Sequence, residues 1–525
     1  MQQISRSILI LTVCAMLMAY FSHGIVRQLF REWPIHQWES ALVTEAYRYS
    51  AGLPVYEDQS DGHATHMYGP LTTPVVGTVF RYTGPSFLPA RLLSLLSFVV
   101  LAGLVLKAAK PAGGRITVVV AATLMVLCTH CVCDGVEPRP DCISLLLATG
   151  ALICMYHAAV YFSWPIWLSA SGLTVGAMFF KQPAAMVAMV PLVQPFVAQA
   201  GPLPIRSWLQ RSCPILSVLA ALATLGLLFP TMYHYSVRVP SQYRIEWFYV
   251  PQWIAILSGF LLCLIPAFMA MVQSLPPDSS VNPDRRSFLS RRLLMELQQD
   301  RRKSWLLSAV LVSVPCCLIT ASKVGGMMNS LLPALVAGTA LFLACSGPLD
   351  RLMGSGGELF CGWFRVQARG LVLFGLLTAS LVVLCSNVKT NVTFGDPGFL
   401  TACREIRDFD GEVGCPQDPA LSVLSGRLPQ KSLVLEYDAA GWPEARAISL
   451  VDDWNRWDAV VCVGSEGDWR TWPLRYPQLE ATLTANGFEK WDHPELRTSR
   501  YQFWVRTSRR GDAVARESVP GRRRS

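Results

Sequence analysis

Two clusters of acidic residues stand at the edges of apolar segments, where a carboxylate is costly to place and therefore informative. One is Trp38-Glu39-Ser40 with Glu45 close behind; the other is Asp134-Gly-Val-Glu137-Pro-Arg139-Pro-Asp141. Carboxylates so placed are suited to taking and giving protons. A single acid of this kind is ordinarily a solvated loop side chain, but two clusters converging at one depth weaken that reading. Few cations accompany them: Arg91, Arg139, Lys181, Arg238, Arg244 and Lys323. Lys181, in Phe180-Lys-Gln-Pro, and Lys323, in Ser322-Lys-Val-Gly-Gly, each interrupt apolar sequence. Their ordinary role is to snorkel to the membrane surface. The functional alternative is to bind an anionic lipid headgroup, where an ammonium supplies a point charge for phosphate.

Other chemistries are absent. Cys128-Thr-His130-Cys131-Val-Cys133 has no second Cys-x-x-Cys to pair with Cys128 and Cys131 in a structural zinc site, and it ends an apolar run. There is no Gly-rich nucleotide loop, serine-nucleophile elbow or His-Glu-x-x-His motif. Most of the 16 cysteines lie inside apolar runs, where they act as small hydrophobes. What is left is the work that carboxylates and cations can do on lipid-borne substrates.

The elements that position these groups are membrane helices. Of 525 residues, 52% are apolar and only 15% charged, with a mean hydropathy of +0.35. Soluble domains run near 25% charged, so a water-soluble enzyme and a disordered chain are both excluded. A membrane-spanning helix needs about 20 mainly apolar residues. Windows of that kind fall near 7–26, 88–107, 115–132, 142–160, 163–180, 183–200, 213–232, 251–273, 305–321, 328–346 and 370–386. The sequence thus predicts an α-helical polytopic membrane protein of about eleven spans. The short, proline-broken stretch 68–83 reads as an interfacial or re-entrant helix, and 38–49 as a helix lying along the membrane surface.

Lys and Arg set the orientation. With the N-terminus inside, the inner loop 274–304 carries Arg285, Arg286, Arg291, Arg292, Arg301, Arg302 and Lys303 against four acids. The large outer loop 27–87 has Arg27, Arg31, Arg48 and Arg81 against six acids. The net charge of +9 therefore reports membrane orientation; no aromatic platform accompanies the cations, and no nucleic-acid partner is expected. An odd number of spans leaves the C-terminal part outside. The expected organisation is a transmembrane domain over 1–386, with the outer juxtamembrane loop 27–87, an extracytoplasmic α/β domain over 387–508, and a basic, disordered tail over 509–525. In the α/β domain, helices are predicted at Gly398–Phe409, Asp418–Gly426 and Tyr476–Ala485, and strands at Ser432–Tyr437, Ala459–Gly464 and Tyr501–Thr507. Cys403 and Cys415 are candidates for a disulfide there, and Asn391-Val-Thr393 has the glycosylation pattern.

The order of these features resembles the C-type superfamily of integral-membrane glycosyltransferases. The nearest branch holds protein mannosyltransferases, aminoarabinose transferases of lipid A and lipopolysaccharide sugar transferases. The resemblance rests on Trp38-Glu39-Ser-Ala-Leu after the first span, Gly52-Leu-Pro-Val-Tyr56, Tyr68-Gly-Pro-Leu71, Ala90-Arg91-Leu-Leu-Ser94, Arg139-Pro-Asp141, and Lys181-Gln-Pro183. It covers residues 1–200 and, weakly, Lys323 to Pro333. Many relatives carry Asp or Asp-Glu where this chain has Glu39 alone.

The resemblance implies inverting transfer of a hexosyl or pentosyl group from a polyprenyl-phosphate donor to an envelope lipid, glycan or protein on the outer face of the inner (plasma) membrane. Glu39 is then the expected general base. Arg139, Lys181 and Lys323 are expected to stabilise the phosphate leaving group, with Tyr68 and Arg91 also at the substrate. Asp141 is expected to orient the acceptor, or to hold a divalent metal together with Glu39, as in some relatives. No other cofactor is implied. The competing readings are a transporter or flippase of lipid-linked or small substrates, and a non-catalytic sensor. The first lacks the internal repeat that transporters show.

Overall fold

The computed structural model describes residues 2–57, 69–110, 115–130, 139–198, 201–262, 265, 300–323, 328–345, 372, 375–376, 396–429, 432–433, 453–463 and 477–509. Tyr68, Asp134, Glu137, Asn391-Val-Thr393, the loop 274–299, most of the span 370–386 and the tail beyond Arg509 lie outside the described residues.

Helices dominate. In chain order they are α1 (Gln2–Leu29), α2 (Gln37–Ser50), α3 (Thr72–Thr83), α4 (Phe87–Ala109), α5 (Arg115–His130), α6 (Asp141–Tyr161), α7 (Trp164–Phe180), α8 (Val190–Val197), α9 (Ile205–Leu228), two short turns α10 (Pro230–Tyr233) and α11 (Val239–Ser241), α12 (Val250–Leu261), α13 (Arg301–Ala321) and α14 (Leu332–Ala344). Five segments among the described residues are long and apolar enough to cross a membrane: Ile8–Leu29, Phe87–Ala109, Asp141–Tyr161, Ile205–Leu228 and Arg301–Ala321. Shorter apolar helices join them, and the protein is a multi-pass membrane protein. The helices form one bundle in which α6 packs on α4 and α7, α7 on α9, α1 on α5, and α13 on α14. Small residues let them approach: Ala151, Ala158, Ala170 and Ala177 are all fully buried in this core.

One expected span is not a regular α-helix. Gln182–Met189 is a 3₁₀ segment that passes into α8. Pro183, Pro191 and Pro195 each lack an N–H to donate, and the segment starts on a proline. The consequence is geometric: at three residues per turn, Lys181, Ala184, Val187 and Val190 fall in one line.

The segment 68–83 forms a helix from Thr72 and packs on α2, where Gly77 is needed because a Cβ would come 2.5 Å from Ala46 O. Helix α2 is capped by His36 and is buried at ten of its positions, including Glu39, Glu45 and Arg48. It is covered from both sides, by α3 and α4 below and by the C-terminal α/β unit above.

That unit contains α15 (Gly398–Asp408), α16 (Ala420–Leu424), α17 (Pro477–Ala485) and a four-stranded sheet in the order β1 (Val413–Gly414), β2 (Ala459–Val463), β4 (Tyr501–Arg506), β3 (Phe488–Trp491). Strands β1 and β2 are parallel, and the other pairs antiparallel. Two expectations need correction. Ser432 and Leu433, the described part of the strand expected at 432–437, stand outside the sheet, whose places are taken by β1 and β3. Cys403 and Cys415 are both buried free thiols, not a disulfide; burial pushes each up to about 12.

The unit is not tethered loosely. Ala41, Val43 and Ala46 of α2, Val76 and Phe80 of α3, and Phe87 and Ala90 of α4 share one apolar core with Phe399, Ala402, Ile406, Tyr501 and Phe503.

Candidate functional site

Glu39 and Asp141, one from each sequence cluster, are brought to one end of the bundle, but each meets its own cation. Asp141 opens α6, and Lys181 directly follows α7. Their side chains form an ion pair, with Asp141 3% exposed and Lys181 16% exposed. Asn329 Nδ2 donates to the other Asp141 oxygen at 3.4 Å. The cluster is held in place by the loop before α3. Gly69 N donates to Phe180 O at 3.2 Å, Leu71 N to Phe179 O at 3.1 Å, and Thr72 Oγ1 to Phe180 O at 3.3 Å. Gly69 is required there, since a Cβ would lie 2.0 Å from Phe179 O.

An open-sided apolar groove of about 570 Å³, counted out to solvent, begins about one turn beyond this cluster, at Leu145, Ala184 and Pro333. Leu145, Ala148 and Leu152 line it from α6, on the helix face that carries Asp141. Ala184, Val187 and Val190 line it from the 3₁₀ row headed by Lys181, and Pro333, Val336 and Ala340 from the helix that follows Asn329. Val105 and Ala309 close it from α4 and α13. An ammonium, a carboxylate and an amide thus stand one turn above a groove whose lining is apolar but for Thr149 and Ser313.

Glu39, the expected open base, is instead locked. Arg91 Nε donates to Glu39 Oε1 at 2.6 Å and Nη2 to Oε2 at 2.9 Å, while Ile35 N donates to Oε2 at 2.6 Å. Both side chains are 0% exposed. Arg91, expected at the substrate, gives its remaining donors to the carbonyls of Gln28, Arg31 and Trp33 and lies 5.1 Å above the Phe87 ring. The pair fixes the junction of α1, α2 and α4. A charge so buried needs a partner of this quality to be tolerated at all.

The two clusters are joined through His36 and Arg139. Arg139, two residues before Asp141, brings Nη2 to 3.4 Å from Nδ1 of His36, which caps the helix carrying Glu39. Burial, reinforced by the Arg139 charge, holds the His36 imidazole well below its ordinary range. Lys323 goes elsewhere: its Nζ donates to Pro240 O at 3.2 Å. The proposed metal pair is not supported by its own donors, because both carboxylates are already neutralised, Glu39 by Arg91 and Asp141 by Lys181. Among the described residues no group of three His, Cys, Asp or Glu side chains is placed to hold a metal ion.

Two residues named in the sequence without a role gain surroundings here. Asn329, within the Lys323–Pro333 segment, meets Asp141. Glu45, of the first acidic cluster, is 1% exposed and its Oε2 has no hydrogen-bond partner among the described residues, and burial pushes its carboxyl up to about 8.

The fold recurs in a solved structure. ArnT from Cupriavidus metallidurans, bound to undecaprenyl phosphate, matches with a TM-score of 0.54 at 12% identity over 95% of this chain and 97% of that one. The chain has the fold of the C-type membrane glycosyltransferases. Residues 69–234 also match the family model described as dolichyl-phosphate-mannose-protein mannosyltransferase. The apo state of the same ArnT matches with a TM-score of 0.53 at 12% identity, over 94% and 97% of the two chains. The archaeal oligosaccharyltransferase AglB from Archaeoglobus fulgidus, in complex with an inhibitory peptide and a dolichol-phosphate, gives a TM-score of 0.47 at 10% identity over 87% and 69%. No curated protein matches the chain by sequence.

Proposed function

We propose that the protein transfers a sugar from a polyprenyl-phosphate donor to an acceptor hydroxyl or amine at the end of the bundle that carries the C-terminal α/β unit. The observation that carries this reading is the apolar groove that begins about one turn beyond the Lys181–Asp141–Asn329 cluster. The lipid chain lies in the groove and its phosphate meets the Lys181 ammonium. The match to a protein that binds undecaprenyl phosphate supports the same class of carrier.

Transfer forms a bond between the acceptor heteroatom and the anomeric carbon, and breaks the bond from that carbon to the phosphate oxygen. The electron pair leaves with polyprenyl phosphate, whose growing charge Lys181 stabilises, helped by the Asn329 amide. The acceptor proton goes to Asp141, the carboxylate at the groove mouth. Attack opposite the phosphate inverts the anomeric centre. Glu39 acts at one remove, by holding Arg91 and the first turn of α2 in place, and His36 with Arg139 ties that turn to the groove mouth.

The Lys and Arg distribution supports an N-terminus in the cytoplasm and an α/β unit outside the inner membrane. The acceptor is accordingly an envelope lipid, glycan or protein.

The test is binding of undecaprenyl phosphate to the purified protein in nanodiscs, followed by release of that lipid from undecaprenyl-phosphate-linked sugars. Lys181→Met is expected to weaken binding, and Asp141→Asn to stop transfer while binding persists. Full transfer by both variants overturns the proposal.

A further inference from the structure

Ser40 follows Glu39 in the first turn of α2 and is fully buried, yet it faces away from the bundle into the C-terminal α/β unit. Its hydroxyl donates to Asp418 Oδ1 and accepts from Ala420 N at 2.9 Å. The second Asp418 oxygen accepts from the Tyr501 hydroxyl at 2.9 Å. Asp418 is 0% exposed and Tyr501 1%.

A second line runs beside the first. The Tyr501 and Phe399 rings are 5.8 Å apart, Phe399 and Phe87 are 5.8 Å apart, and Phe87 carries the Arg91 guanidinium at 5.1 Å. The α/β unit therefore reaches both members of the buried Glu39–Arg91 pair, one through Asp418 and Ser40, the other through a row of inclined aromatic rings.

Apolar contacts between α2, α3, α4 and the unit suffice to hold it on the bundle. A buried carboxylate adds little to that and is costly to desolvate. What it adds is direction, since two hydroxyls and a helix-start amide meet only in one rotation of α2.

We propose that Asp418 is a positioning residue of the transferase. Through Ser40 it sets the rotation of the first turn of α2, so that the α/β unit acts as a clamp on the catalytic end and not only as a cover. This rests on the transfer reading above. Burial pushes the Asp418 carboxyl up to about 7, against the pull of Ser40, Tyr501 and the Ala420 amide, and the Glu39 charge pushes it the same way as burial. The other titratable groups around it are Tyr501 on β4, Cys403 on α15 and Cys415 after β1. The ionised form accepts from both hydroxyls; protonation takes away an acceptor site and loosens the clamp.

The test compares the full chain with Asp418→Asn and, separately, Ser40→Ala, in nanodiscs. Both variants are expected to lower kcat on the order of tenfold or more, with KM for undecaprenyl-phosphate-linked sugar and affinity for undecaprenyl phosphate unchanged. The wild-type rate should fall below about pH 7, and that limb should be missing in Asp418→Asn. Amide hydrogen exchange should rise in residues 37–42 of both variants and stay as in wild type in β2 and β4. A wild-type kcat and pH profile in both variants overturns the clamp, as does unchanged exchange in α2. Should Asp418→Asn fail to fold, Ser40→Ala decides by the same readings. Absence of transfer by the wild type would sink the reading of function instead, and the exchange result would still judge the clamp.

Discussion

Arg91 holds Glu39 by two donors, at 2.6 and 2.9 Å, in a place where neither side chain meets solvent. The carboxylate that sequence order marks as the proton acceptor is thus paired and enclosed in this structure, and so is its partner. Removing one member of such a pair leaves a buried charge and costs about 3–5 kcal/mol, whereas replacing both with apolar groups of similar size is nearly neutral. Glu39→Gln and Arg91→Met are each expected to lower the melting temperature sharply, and the double variant Glu39→Leu/Arg91→Met to recover much of that loss. Thermal unfolding in detergent checks this. Single variants as stable as wild type would show that the pair is not closed in solution.

The Lys181–Asp141 pair should behave in the opposite way. It sits at the rim of a groove, with Lys181 partly exposed, so its loss should show in ligand binding before it shows in folding. Lys181→Met is expected to weaken undecaprenyl phosphate binding on the order of tenfold or more, each tenfold being about 1.4 kcal/mol. Affinity of the wild type should also decline with added salt. Equal affinity in the variant would place the phosphate elsewhere.

Gly69 offers a test of how Lys181 is held. A methyl group there would meet Phe179 O at 2.0 Å, and backbone cannot yield as a side-chain tip can. Gly69→Ala is expected to cost about 1–3 kcal/mol and to weaken undecaprenyl phosphate binding, because the displaced segment is the one directly before Lys181. A variant with normal melting and normal binding would mean that the loop before α3 does not hold the site.

Long elements were legible because a span declares itself by some 20 apolar residues in a row; α4 and α6 begin and end within two residues of the expected limits. The helix at 38–49 was legible too and forms α2, but its burial between the bundle and the α/β unit, in place of a position along the membrane surface, was not. Strands β2 and β4 announced themselves by their Val and aromatic content, but β1 has only two residues and β3 alternates weakly, so neither carries a readable period. At the site, the charges at helix ends pointed to Asp141 and Lys181, because a charge beside an apolar run is costly wherever it lands. Partners were not legible: Glu39 and Arg91 are 52 residues apart, and Ser40 and Asp418 are 378 apart. Nothing local in the chain distinguishes a base from a counter-ion, since the difference lies in what fills the space around the same carboxylate. Asp418 in particular reads as an ordinary acid at a helix start.

Glu45 gives the last prediction, and its sign follows from burial. Its carboxyl, ordinarily near 4.5, is pushed up to about 8 by burial and by the Glu57 charge, against the pull of Arg48. Between those two values the folded chain keeps a proton that the unfolded chain has released. Folding is then favoured at the acid end of this window and loses stability as pH rises through it, levelling off above about pH 8. Glu45→Gln keeps the neutral shape and removes the titration. The variant should match wild type near pH 5 and melt about 2 °C or more higher near pH 9, read by thermal unfolding in the same detergent. A variant that is less stable than wild type at pH 9 would mean that Glu45 is ionised there and held by a cation.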